Sequence, residues 1–160
     1  MNDFDLLLKV VADEISAVGI QLPDNISRCV LVNKRATKRF GLCKFDNGIW
    51  RIELTDRLLN ADEFACKQTL AHELLHTCKG CANHGNLWKK YADIMNKAYG
   101  YSISRTDSPE KLGISDTSKA RYIFMCDRCG AVVKRERVSR FVKHPERYRC
   151  KCGGKFIKNS

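Results

Sequence analysis

No stretch of the sequence stays apolar for anything near the roughly 20 residues that span a bilayer. The longest candidate, 4–20, is interrupted by Asp5, Lys9, Asp13 and Glu14. The first residues also lack the basic-then-apolar order of a secretory signal, because their charges begin with Asp3 and Asp5. Internal repeats and low-complexity tracts are missing as well. These absences set the expectation of a soluble, cytoplasmic protein with no membrane contact. At 160 residues, 44% hydrophobic and 29% charged, the composition excludes wholesale disorder and suits a small domain with an appendix.

The nine cysteines are an odd number, and in a reducing compartment a disulfide framework is a poor use for them. Metal binding is the better use for those in close pairs. Charge divides the chain. Residues 119–160 hold 13 basic and 3 acidic side chains, whereas the first 118 residues carry 16 and 15. A nearly neutral body precedes a strongly basic tail.

Phe4, Leu7, Leu8, Val11, Ile15 and Val18 recur at helical spacing and predict an amphipathic helix over 3–18. Strand-like runs follow at 28–32, 40–45 and 49–54, the last two joined by an Asp46-Asn47-Gly48 hairpin signal. A second helix is expected from Asn60 to about Cys78. Its capping box would be Asn60 with Glu63, and its hydrophobic staple Leu59 with Phe64. A third, over 86–98, would bury Leu87, Tyr91 and Ile94. Residues 102–118, rich in Ser, Asp and turn formers, read as a linker. The expected organisation is therefore an α+β domain over 1–101, a linker, and a small β ribbon over 119–160.

His72-Glu73-Leu74-Leu75-His76 falls inside the second predicted helix. Residues four apart share a helical face, so both imidazoles reach one metal ion, with Glu73 about 60° around the helix from His76. Zinc held this way acidifies its bound water and leaves Glu73 to take the proton. With 4 His and 7 Glu in the chain, a chance match arises in roughly one chain in a few hundred, so the catalytic-metal reading is preferred.

A third ligand is needed. The metzincin pattern fails, because Lys79 and Ala82 stand where Gly and His are required. No Glu occurs between His76 and Glu110. Asp93 from the third helix and His84 from the intervening loop remain, and His84 could instead be a turn residue bonding its own backbone. Cys78-x-x-Cys81 could hold a second metal, form a redox pair, supply one ligand, or be two small loop residues, the last being favoured. Cys29, Cys43 and Cys66 are expected in the core.

The motif His72 to His76, followed by His84-Gly85-Asn86-Leu87-Trp88, resembles the SprT-like metallopeptidases. Residues 33–41 (NKRATKRFG), Ile49 and Leu54 resemble the strands that precede that family's active helix. The resemblance implies zinc ligands at His72, His76 and His84, Glu73 as catalytic base, a cysteine-rich ribbon after the peptidase domain, and protein substrates bound or crosslinked to DNA.

In the tail, Cys126-x2-Cys129 and Cys150-x-Cys152 lie 20 residues apart, with Gly130 after one pair and Gly153-Gly154 after the other. Four thiolates close a tetrahedral structural zinc site, and a 42-residue segment needs such a staple. One intervening residue in the second pair is short for a knuckle, and His144 could replace a thiolate. Thirteen basic residues with Tyr122, Phe124, Phe141, Tyr148 and Phe156 among them suggest binding of DNA, single-stranded or irregular. The aromatics could equally form the ribbon's own core. Two rivals stand beside the peptidase. One is a non-catalytic nucleic-acid-binding or regulatory protein with a closed metal site. The other is a deformylase-like hydrolase using Cys43 as ligand.

Overall fold

The computed structural model describes residues 1–114 and 120–159. The chain divides into two compact units, Met1–Asp116 and Thr117–Ser160. In the first, α1 (Phe4–Ala17) starts where the Asp3 carboxylate accepts the Asp5 and Leu6 N–H groups, and it buries Phe4, Leu7, Leu8, Val11 and Ile15. That apolar stripe packs against α2 (Glu63–Leu75).

A three-stranded sheet carries β3 (Ile49–Thr55) in the middle, flanked by β1 (Leu31–Asn33) in parallel and β2 (Gly41–Asp46) antiparallel. Asn47 (φ 49°) and Gly48 (φ 77°) make the two-residue turn between β2 and β3. Both sit in the left-handed region that such a turn demands. Ile52 and Leu54 are fully buried on the core face. Arg39 and Lys44 meet Glu53 on the other face. β2 is an edge strand, and α2 packs beside it.

Several local expectations shift. The second helix is capped by Asp62, whose carboxylate accepts Phe64 N–H at 2.7 Å, while Asn60 ends a 3-10 turn over Asp56–Asn60. Phe64 therefore packs on the Tyr101 ring rather than acting as a staple with Leu59. The helix also stops at Leu75, and single turns carry the chain through Cys78. On α3 (Asn86–Tyr99) the fully buried stripe is Trp88, Ala92 and Met95, one position on from the expected one; Tyr91 and Ile94 are half-buried against the core, and Leu87 is 38% exposed. Cys66 is fully buried and Cys43 half-buried against the core, but Cys29 is exposed, because β1 starts only at Leu31.

The expected linker is largely part of the first unit. Ile103 and Leu112 are 5% and 2% exposed. Ser102 N–H donates to Gln68 Oε1 at 2.8 Å, and the Asn96 side chain bonds both Ile103 N–H (2.7 Å) and Ile103 C=O (3.1 Å). Burial of two apolar side chains and satisfied polar partners outweigh a turn-rich composition. The rest of the expected linker, 115–118, and Lys119 at the start of the expected ribbon lie outside the described residues.

The second unit is a sheet with β4 (Tyr122–Cys126) between β5 (Val132–Arg135) and β6 (Phe156–Asn159), both antiparallel to it, plus a single helical turn, α4 (Arg140–Lys143). Phe124 is buried on Phe141, which also packs on Tyr148 and Phe156. These aromatics form the ribbon's own core. Among the described residues no helix is long and apolar enough to cross a membrane.

Candidate metal centres and the cleft around Glu73

The last turn of α2 presents His72 and Glu73, and His76 forms its C-cap. Beyond it, Gly80 adopts φ 82° and Cys81 N–H returns to Cys78 C=O at 3.0 Å, which turns the chain back so that His84 faces the helix. The Nε2 atom of His84 lies 3.0 Å from that of His72 and 3.2 Å from that of His76. Nitrogens bound about 2.0–2.1 Å from a tetrahedral zinc stand about 3.3 Å apart, so the spacing fits such an ion.

The His76 ring is oriented by the backbone. His76 Nδ1–H donates to the Cys81 carbonyl at 2.8 Å, which leaves Nε2 as a bare lone pair facing another imidazole nitrogen. Burial, with the neighbouring His76 and His84, pushes His72 down to about 3, and burial also lowers His84. Neutral imidazoles with converging lone pairs suit a cation. His72 Nδ1 is buried without a hydrogen bond of good geometry, although the Ser104 carbonyl lies near. The indole of Trp88, 2% exposed, floors the cluster, with ring centroids 4.8, 5.5 and 4.5 Å from those of His72, His76 and His84.

Glu73 is 8% exposed and stands outside the histidine group. Burial pushes its carboxyl up to about 8; the Cys43 N–H donated to it and the Arg39 charge pull it down, and Asp107 pushes it further up. Its side chain lies across Gly41. A Cβ at that position would come 2.6 Å from Glu73 Cγ and Oε1. Gly41 is thus the gap in β2 through which the carboxylate reaches the cleft, a role the sequence reading did not assign.

Two arms of one cleft share Gly41, His72 and Glu73. One, of about 370 Å³, continues along Leu42, Trp50 and Ala82 past His76 and His84. The other, of about 200 Å³, runs between Lys38, Arg39, Arg105 and Asp107.

In the ribbon, Cys126, Cys129, Cys150 and Cys152 bring their sulfurs within 4.8 Å of one another. Cys126 and Cys152 are 3.5 Å apart, as are Cys129 and Cys150, close to the roughly 3.8 Å edge of a tetrahedral zinc–thiolate site. Each knuckle closes through a left-handed glycine: Gly130 (φ 70°) bonds Cys126 C=O and Gly153 (φ 84°) bonds Cys150 C=O. The single residue between Cys150 and Cys152 does not prevent both thiols from joining. Donation from the Cys129 and Arg128 N–H groups lowers the Cys126 thiol, whereas the neighbouring thiols push that of Cys129 up, so a bound metal would have to displace the protons the cluster still holds.

Other candidates stand apart. Asp93 is exposed on α3, and His144 pairs with Glu146 at 3.3 Å. The Cys78 and Cys81 side chains are 4% and 0% exposed in the core and join no metal-ligating group among the described residues. Cys81 still matters, through the carbonyl that orients His76. Cys43 lines the cleft, but burial, Glu73 and Cys78 push its thiol up to about 12, and it is not in the histidine group.

No curated protein matches this chain. The sequence profile of the SprT-like family does match, over residues 21–107. That span takes in the whole β1–β3 sheet, both helices around the histidines, Gly41, Trp88, and the segment after α3 as far as Asp107. Since it covers more than half of the sequence and every element that builds the histidine cleft, the chain belongs to the SprT-like family.

Proposed function

We propose that the chain is a zinc-dependent metalloendopeptidase. The observation that carries this reading is the three-histidine cluster with a buried carboxylate beside it in a cleft. Among the described residues no fourth His, Cys, Asp or Glu joins that cluster, as expected of a catalytic rather than a closed structural site. Zinc held by His72, His76 and His84 would polarise a peptide carbonyl and acidify water there. Glu73, whose carboxyl the charge of a bound cation would help keep ionised, would take the proton of that water and hand it to the leaving amine. The gap at Gly41 leaves room for its carboxylate, and the nearby Cys43 N–H favours its charged form. The Cys81 carbonyl fixes the His76 tautomer, and the Trp88 indole stacks on His76 and meets His72 and His84 at steep angles.

The ribbon cysteines would hold a second, structural zinc. The basic ribbon would bring the peptidase to DNA, with the family resemblance pointing to DNA-bound or crosslinked proteins as substrates. Charge supports that partner better than base stacking does, because the ribbon's aromatic rings are largely used in its core.

The test is Glu73→Gln beside His84→Ala. Glu73→Gln should keep two zinc ions per chain and lose about 10²–10⁴ in kcat/KM. His84→Ala should lose the cleft zinc and keep the ribbon zinc. Glu73→Gln activity within twofold of the parent would remove the general base from the reading.

A further inference from the structure

The two arms of the cleft differ in chemistry. Along the larger arm the lining is Leu42, Trp50 and Ala82, and Phe45 packs on Trp50 with ring centroids 4.8 Å apart. This wall suits a bulky apolar side chain. The smaller arm is basic, and its charges are not equivalent. Arg39 is held by Glu53 at 2.8 Å, and Asp107 by Lys111 at 3.0 Å. Arg105 is exposed at the mouth of that arm and forms no ion pair with a carboxylate among the described residues. At about 200 Å³ the arm is smaller than the roughly 300–1,000 Å³ that holds a whole ligand, so it fits one side chain.

Arg105 is also preset. The backbone before it is tied by Ser102 to Gln68 and by Ile103 to Asn96. Lys111 Nζ then gathers the Ser102 carbonyl, Ser104 Oγ (2.9 Å) and Asp107 Oδ1 (3.0 Å) around the same loop. A guanidinium on a fixed loop loses little freedom when it meets a carboxylate.

We propose that this protein selects substrate segments carrying an acidic side chain on the Arg105 side of the scissile bond and a bulky apolar one on the Trp50 side. The inference rests on the peptidase reading, but it is tested by binding as well as by cleavage.

The full zinc-loaded chain carrying Glu73→Gln is titrated with fluorescent unstructured peptides, and anisotropy is read. The peptides place Leu and Glu one residue apart in either order. Matched sets carry Gln or Lys in place of Glu, or move Glu to the far end. One Leu–Glu order should bind about 5- to 10-fold more tightly than its Lys counterpart. Its far-end control should lose that advantage, which separates the cleft from general attraction to a basic protein. Arg105→Glu should reverse the ranking toward Lys, whereas Lys151→Glu in the ribbon should not.

Equal affinity within twofold for the Glu, Gln and Lys peptides overturns the proposal. So does a Glu preference that survives Arg105→Glu. Loss of oligonucleotide binding in Arg105→Glu with the peptide ranking unchanged also overturns it, by assigning the arm to phosphate. Cleavage of the same peptides by the unsubstituted chain tests the peptidase reading separately.

Discussion

Gly41→Ala is the smallest change that should separate the general base from everything else in the molecule. The new methyl carbon would stand 2.6 Å from Glu73 Cγ and Oε1 and 2.9 Å from Cδ. Ordinary contacts begin near 3.4 Å, so the carboxylate has to retreat by about 0.8 Å. The backbone there has no positive φ, so alanine adds no conformational strain. A misplacement of about 1 Å at a reacting group costs about 10²-fold in rate, at the lower edge of what a general base contributes. Overpacking costs about 1–3 kcal/mol against a typical stability of about 5–15 kcal/mol, so the chain stays folded. Cleavage of an unfolded protein substrate should fall about 100-fold, while zinc per chain stays at two and the melting curve shifts only slightly. Activity within twofold of the parent, or a loss that tracks zinc loss, would refute the argument that Gly41 is kept small for Glu73.

Gly154→Ala should remove the ribbon metal alone, because its Cβ would meet Cys126 Sγ at 2.4 Å; zinc content measured after gel filtration should drop from two to one with peptidase activity retained. Glu53 has its pKa lowered from 4.5, chiefly by the Asn33 hydrogen bond, and Arg39 and Lys44 add to it. Its stabilisation is therefore complete above pH 4.5 and lost as pH falls through the lower folded value, so Glu53→Gln should flatten acid denaturation below pH 4.5. Deleting residues 119–160 removes a net +10 and should abolish most DNA affinity and its salt dependence. Coincident salt slopes for the two forms would make the ribbon a protein-contact or folding module.

Local patterns were legible in the sequence, and contacts between distant segments were not. The stripe of α1, the Asn47-Gly48 turn and the i, i+4 histidines are all written within a few residues of one another. The buried face of α3 was not decided locally. Leu87, Tyr91 and Ile94 form one stripe at helical spacing, and Trp88, Ala92 and Met95 form the next. The indole under His72, His76 and His84 selects the second. Gly41 carries no signal of its own, since its meaning lies in a side chain from another element. The Cys81 carbonyl is backbone, which residue type does not reveal.

The strap over 101–114 shows why composition misleads most where polar contacts hold a segment. It has few apolar side chains, yet Tyr101, Ile103 and Leu112 are each at most 5% exposed. Polar groups on three helices also tie it: Gln68, one turn before His72 on α2, Asn96 on α3, and Glu14 on α1, which accepts the Tyr101 O–H. Gln68 is itself 4% exposed, and a buried amide left without its partner costs about 1–3 kcal/mol. That penalty disfavours detaching the strap while the helices stay in place. The same ties put Arg105 and Asp107 on the smaller arm of the cleft, whereas Trp50 lines the larger one. A serine- and aspartate-rich stretch that reads as a spacer is thereby fixed to the two helices that hold Glu73 and the histidine floor, and the smaller arm of the cleft exists because of it.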